Sequence, residues 1–370
     1  MTAVEASERS FMAWETSWCG LWQANMRPDS SKGTPLMSRF TVTRSSMGAQ
    51  EVLVLRDSQA QREIRIARRG ATLLSINLPV AGGSRNIADA FLNEQELVPH
   101  KGSRFAVMTP FANRINDARY TFEGKSYDLQ PGAIGADRAI RHGFVRGVMF
   151  DVADEANDDD RAVVTFKTQA IRPDAYPGYP FALDFSITFS LDAKGLSIET
   201  HTRNVGDHAA PVFFGWHPYF RLSENAIDTW ELQVPANTVI ATDSGFIPLP
   251  GREAWKSIDD VDASLDFRQP RSIGATELNT TYTDLQVDED GKARTYLRDP
   301  KTGTKIAVWQ ERGVMLAFTS DTNERDPRKS VALEPMECMA DAFNREDCAS
   351  LLRLAPGEER RFICGVEFGP

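Results

Sequence analysis

The chain has 370 residues, 41% hydrophobic and 25% charged, which is ordinary for a globular protein and long enough for one large β-rich unit. With 42 basic against 52 acidic residues the formal charge is −10, which disfavours nonspecific nucleic-acid binding and anionic membranes. No stretch approaches the roughly 18 consecutive apolar residues of a membrane span.

At the N-terminus, Glu5, Glu8 and Arg9 interrupt the place where a signal-peptide core would lie. Phe11, Trp14, Trp18 and Trp22 recur at spacings of three and four, which would put four aromatics on one helical face. Residues 1–37 are therefore read as an extension, a short aromatic helix plus a linker from Arg27 to Gly33, ahead of a domain spanning 38–370. The cysteines Cys19, Cys338, Cys348 and Cys364 lack CxxC or Cys/His metal spacing and read as reduced thiols of a cytoplasmic protein.

From Phe40 onward the pattern is that of strands. Val52–Leu55, Ile64–Ala67, Thr72–Leu78, Val163–Phe166, Phe185–Leu191 and Leu196–Thr200 all suit them. The last two alternate cleanly across Asp192-Ala193-Lys194-Gly195, a hairpin signature. Similar turns stand at Glu123-Gly124-Lys125, Asp290-Gly291-Lys292 and Lys301-Thr302-Gly303. Within the domain only Ile87 to Leu97 looks helical, and the acidic run Asp154–Asp160 reads as a solvated loop tip. Short strands with Gly/Asp/Lys turns predict an all-β protein, a large antiparallel sandwich with few short helices.

The sequence contains no phosphate-cradling glycine loop, HExxH or nucleophile elbow, which argues against nucleotide hydrolysis, zinc proteolysis and the commoner serine hydrolases. Several polar clusters set in apolar surroundings remain. Gly215-Trp216-His217-Pro218-Tyr219-Phe220 puts one of only five histidines among aromatics. Such a histidine is either a satisfied core residue or a proton donor and acceptor near neutral pH. Asn113-Arg114 sits between apolar residues, where a guanidinium needs a partner, either a structural carboxylate or a ligand. Arg141-His142-Gly143 joins a histidine to a glycine that permits close approach of backbone or ligand. Glu334 ends the apolar run Val331-Ala332-Leu333, where desolvation would raise its pKa toward that of a useful base; bonding to backbone or to Arg114 is the structural alternative. An acid–base pair of His217 and Glu334, ringed by aromatics and hydrogen-bonding side chains, suits an uncharged polyhydroxylated substrate. A glycosidase-like pair of Glu334 with Glu337 or Asp341 is the hydrolytic alternative, though those carboxylates crowd one segment.

In this order the clusters resemble the aldose 1-epimerase (galactose mutarotase-like) family, from about Ile64 to Phe368. Asn113-Arg114-Ile115 with the hairpin Gly124-Lys125-Ser126-Tyr127, Arg141-His142-Gly143, and His217-Pro218-Tyr219-Phe220 are similar to family motifs. So are Ile247-Pro248-Leu249-Pro250-Gly251, Leu265-Asp266-Phe267-Arg268, and Leu333-Glu334-Pro335 with Asp341-Ala342-Phe343-Asn344. The resemblance implies a galactose mutarotase-like supersandwich that interconverts the anomers of a free aldose. In it Glu334 is the base on the anomeric hydroxyl and His217 the acid on the ring oxygen. His142, Arg114 and Asn113 would bind hydroxyls and stabilise developing charge. It implies no metal or organic cofactor.

Two positions depart from the family pattern. Asn279-Thr280-Thr281-Tyr282 stands where many members have an Asp-His-x-Phe segment whose Asp binds a sugar hydroxyl, and Leu316 where many have Gln. Asn279 is thus a substrate-binding candidate, and galactose is in doubt. Arg138, Arg141 and Arg146 keep open a hexose-6-phosphate epimerase, and a sugar-binding or sensing protein without turnover is the non-enzymatic alternative. The expected partner is a small sugar, with neither nucleic acid nor membrane, and the chain a monomer or homodimer.

Overall fold

The computed structural model describes residues 38–369. The expected aromatic helix, the linker and Cys19 lie outside those residues. Every strand pairing is antiparallel, and the chain builds its sheets largely by hairpins between sequence neighbours. A five-stranded meander runs through Phe40–Met47, Gln50–Asp57, Arg62–Ala67, Thr72–Val80 and Gly83–Asn86. A nine-stranded sheet carries the cleanly alternating Leu183–Asp192 and Gly195–Asn204 side by side. The inward residues Leu183, Phe185, Ile187, Phe189 and Leu191 are all buried and their neighbours half-buried, as period-2 patterning requires. Asp192 Oδ1 accepts from the amides of Lys194 and Gly195, closing the hairpin.

An eight-stranded sheet carries the candidate chemistry. Its central strand Val331–Met336 is flanked on one side by Val314–Phe318 and then Asn279–Leu285. On the other side it meets Gly215–His217 and Tyr219–Phe220, with Ala106–Met108 beyond. All six residues of Val331–Met336 are buried, so Glu334 lies inside the strand rather than at its end.

Two expectations are corrected. Ile87–Leu97 is helical only over Glu94–Leu97, with Asn93 as N-cap through its side chain to the Glu96 amide. The stretch before it is extended because its backbone is engaged by strands: Ile87 donates to Ile76, Asp89 donates to Tyr219, and Arg221 donates to Ile87. The acidic run is mostly an edge strand, Asp151–Asn157, and only Asp158–Asp160 form the tip before Arg161. Among the described cysteines, Cys338, Cys348 and Cys364 are free and buried. No helix among the described residues is long and apolar enough to cross a membrane.

Candidate active site

Antiparallel register puts Leu316 opposite Glu334, and Phe318 opposite both Ala332 and Asn279. Directly paired residues share a face, so Glu334, Phe318 and Asn279 point the same way. Tyr219 pairs with Ala332, and His217 precedes it by two residues. A cavity of about 920 Å³ opens over this face, lined by His217, Tyr219, Asn279, Phe318 and Glu334 from the sheet.

Asn113, Arg114 and His142 join this lining from loops. His142 donates its backbone N–H to the Asn113 carbonyl at 2.9 Å, and both residues hold left-handed backbone, φ 60° and 57°. Gly143 has φ 62°, and a Cβ there would stand 2.1 Å from the Thr109 carbonyl oxygen. The close approach expected of this glycine is therefore to backbone, and it fixes where His142 stands. The Arg114 segment is pinned from the other end of the chain. Asp341 donates its amide to the Arg114 carbonyl at 2.7 Å, and its Oδ1 accepts from the Asn116 amide and the Asn344 side chain. Asp341 and Asn344 thus act as scaffold.

His217 Nε2 stands 3.2 Å from Glu334 Oε1, with the two residues 5% and 2% exposed. The His217 ring stacks on Tyr219 at 4.7 Å and meets the His142 ring edge-on at 5.1 Å. His142 Nδ1 contacts the Met108 sulfur at 2.8 Å; a thioether only accepts, so Nδ1 carries the proton and Nε2 is free to accept from a hydroxyl. Burial pushes the Glu334 carboxyl well above its usual range against the pull of Arg114, and pushes His217 down to about 3. His142 is held well below its usual value, by burial first and then by His217 and the neighbouring arginines. Glu334 Oε2 and His217 Nδ1 are buried without a protein partner among the described residues. Leu316, opposite Glu334, adds apolar surface where a polar residue would have offered a bond.

Arg114 is half-buried, hydrogen-bonded to Asn113 Oδ1 at 2.8 Å, and lies under the exposed ring of Phe246 at 5.0 Å. Burial, with Arg141 adding to it, lowers its pKa to about 10. Asn113, Arg114, His142, His217, Asn279 and Glu334 therefore share one cavity. Arg141 and Arg146 join them. Arg138 does not: it is buried against Asp117 and Asp128, away from the cavity lining. The hydrolytic pairing has no geometric support, since Glu337 accepts from the Phe214 amide and pairs with Arg312, outside the cavity lining.

The family model for aldose 1-epimerase matches residues 51–367. The chain belongs to the aldose 1-epimerase family. It is similar to the uncharacterized protein YihR of Escherichia coli K12, at 27% identity over 73% of this chain and 82% of that protein. It is also similar to the aldose 1-epimerase of the same organism, at 30% identity over 65% of this chain and 67% of that one. In fold it resembles the GalM/aldose epimerase homologue from C. elegans, with a TM-score of 0.73 at 17% identity over 89% of this chain and 99% of that one. It likewise resembles a galactose 1-epimerase from Lactobacillus acidophilus, with a TM-score of 0.72 at 15% identity over 90% and 99%. The fold is thus the galactose mutarotase-like β-sandwich of this aldose 1-epimerase family.

Sequence reasoning missed part of this epimerase-family site. His100 lines the cavity, bonded to Thr72 Oγ1 at 3.1 Å. Arg104 lies 5.3 Å from the Tyr219 ring centroid and pairs with Asp89, which also pairs with Arg325 and accepts from Ser330. The one signal for Arg104 was a charged residue beside the apolar run Phe105-Ala106-Val107-Met108, the same kind that singled out Arg114.

Proposed function

We propose that the protein is an aldose 1-epimerase that interconverts the α and β anomers of an aldose by acid–base ring opening and reclosure, with His217 as acid and Glu334 as base. The observation that carries this reading is the 3.2 Å approach of these two buried groups on the wall of one cavity. Ring opening takes a proton from the anomeric hydroxyl and gives one to the ring oxygen. Both oxygens are bonded to the same carbon, so acid and base must converge on neighbouring atoms.

The pair needs one shared proton throughout. Before opening it is on His217, with Glu334 a carboxylate; after opening it is on Glu334, with His217 neutral. Burial favours the uncharged form of both groups, so it favours the state that accompanies the open aldehyde. Arg114 acts in the other direction, favouring the carboxylate that begins the reaction. Rotation about the bond to the aldehyde carbon, followed by reclosure with the roles reversed, yields the other anomer and restores the pair. In this reading Asn113, His142 and Asn279 orient hydroxyls, and Arg114 stabilises charge on the anomeric oxygen.

Saturation-transfer NMR or polarimetry on freshly dissolved α-sugars tests the proposal. Acceleration over buffer that disappears in Glu334→Gln is expected. A folded protein that accelerates no hexose or pentose, charged or neutral, defeats it.

A further inference from the structure

The chain carries a formal charge of −10, yet Lys101, Arg104, Arg114, Arg141, Arg146 and Arg325 all line the same cavity. Arg104 and Arg325 are neutralised by Asp89, and Arg325 also by Glu96. Among the described residues, Arg114, Arg141, Arg146 and Lys101 have no carboxylate partner. The side-chain bond of Arg114 goes to Asn113, and that of Arg146 to Ser103 Oγ at 2.9 Å. Carboxylates are not scarce in this chain. Arg294 alone pairs with Asp288, Asp290 and Glu367, and Arg138 with Asp117 and Asp128.

Arg114 and Arg146 are half-buried without counter-charges, which costs stability, and the exposed Arg141 beside them adds like-charge repulsion. Burial, and then Arg141, holds both Arg114 and Arg146 below the usual arginine range, so Arg141 is close enough to repel both. The three guanidinium groups gather about the acid–base pair: Arg114 acts on Glu334, Arg146 acts on His217, and Arg141 is bridged to Arg114 through backbone. The cavity has room for a monosaccharide with a further substituent.

We propose that the sugar bound in this cavity is an aldose bearing an anionic group (a carboxylate, or a tetrahedral oxyanion such as phosphate) on a carbon other than the anomeric one, held by Arg141 and Arg146. This rests on the epimerase reading for the kind of ligand, a sugar, and it replaces the uncharged substrate that the acid–base pair and its aromatic surroundings suggested.

The test compares glucose with glucuronate and glucose 6-phosphate, and galactose with galacturonate, by initial mutarotation rate and by calorimetric binding. For at least one anionic sugar, kcat/KM and affinity should exceed those of its neutral partner by about tenfold or more, since bonds to a charged group are worth that much. The preference should shrink with rising salt and collapse toward one in Arg141→Gln/Arg146→Gln. The carboxylate and phosphate arms identify the group. Equal or better use of the neutral sugars by the unmutated protein, at low salt, overturns the inference while leaving the epimerase reading intact. Preferential binding of an anionic sugar without turnover of any sugar upholds the inference and ends the epimerase reading. Absence of both preference and turnover overturns both.

Discussion

Two buried carboxylates near the same cavity have opposite fates. Asp89, 6% exposed, pairs with Arg104 and Arg325 and accepts from Ser330 Oγ at 2.7 Å. Glu334, 2% exposed, has no arginine or lysine pair among the described residues: it meets His217 at 3.2 Å and has one oxygen without a protein partner. Asp89 has the complement of partners a buried charge requires, so it builds the wall: it holds Arg104, which lies beside Tyr219, which stacks on His217. Glu334 has its partners withheld. Burial drives its carboxyl toward the uncharged form, the condition the proposed base role calls for.

The contrast predicts that substitutions at the two sites separate activity from stability. Glu334→Gln should lower kcat by about 100- to 10,000-fold, the usual contribution of a positioned base, as read by saturation-transfer NMR. The same variant should be more stable than the parent at neutral pH. A carboxyl whose folded pKa is raised retains a proton that the unfolded chain has lost, so burying it costs more as pH rises above about 4.5. Urea unfolding midpoints check this. Asp89→Ala should do the reverse and lose roughly 3–5 kcal/mol of stability, because Arg104 is left buried without its charge partner. A loss under about 1 kcal/mol would end the distinction between wall and ligand-facing carboxylate.

A smaller effect concerns acid. His217 titrates near 3 in the folded chain against 6.5 when free. Between those values the unfolded chain binds the extra proton, so this contribution to stability is present above about 6.5 and is lost as pH falls toward 3. His217→Gln should therefore flatten the decline in stability between about pH 4 and 6, by up to about 1.4 kcal/mol per pH unit. His100, also near 3, leaves a residual slope. The smallest change is expected from Asn279→Ala, which removes one hydroxyl contact. It should raise KM roughly tenfold, about the worth of one hydrogen bond, with kcat little altered.

The long strands were legible because their environment repeats every second residue. Leu183–Asp192 alternates buried and half-buried from end to end. The site sheet was not, since Gly215–His217, Tyr219–Phe220 and Ala106–Met108 are two or three residues long and buried on both faces, which erases any period. Ile87–Leu97 was misread as a helix because its apolar spacing suits one, while partners distant in sequence claim its backbone groups. Arg138 was misassigned for a related reason. A sequence shows that an arginine is present but not that Asp117 and Asp128 have already neutralised it.

Asn113, Arg114, His142, His217 and Glu334 could be named from sequence because each is a polar residue set beside apolar or glycine neighbours, whereas Asn279 was named only through the family resemblance. Strand alternation and turn residues determined the all-β class, and these site residues with their neighbours determined the family resemblance and the proposed chemistry. Only the tertiary structure decided that His217 and Glu334, 117 residues apart in the chain, meet at 3.2 Å. It alone decided which arginines are paired and which have no carboxylate partner among the described residues. Burial and charge pairing depend on what other segments bring to the same place, and local sequence does not carry that information.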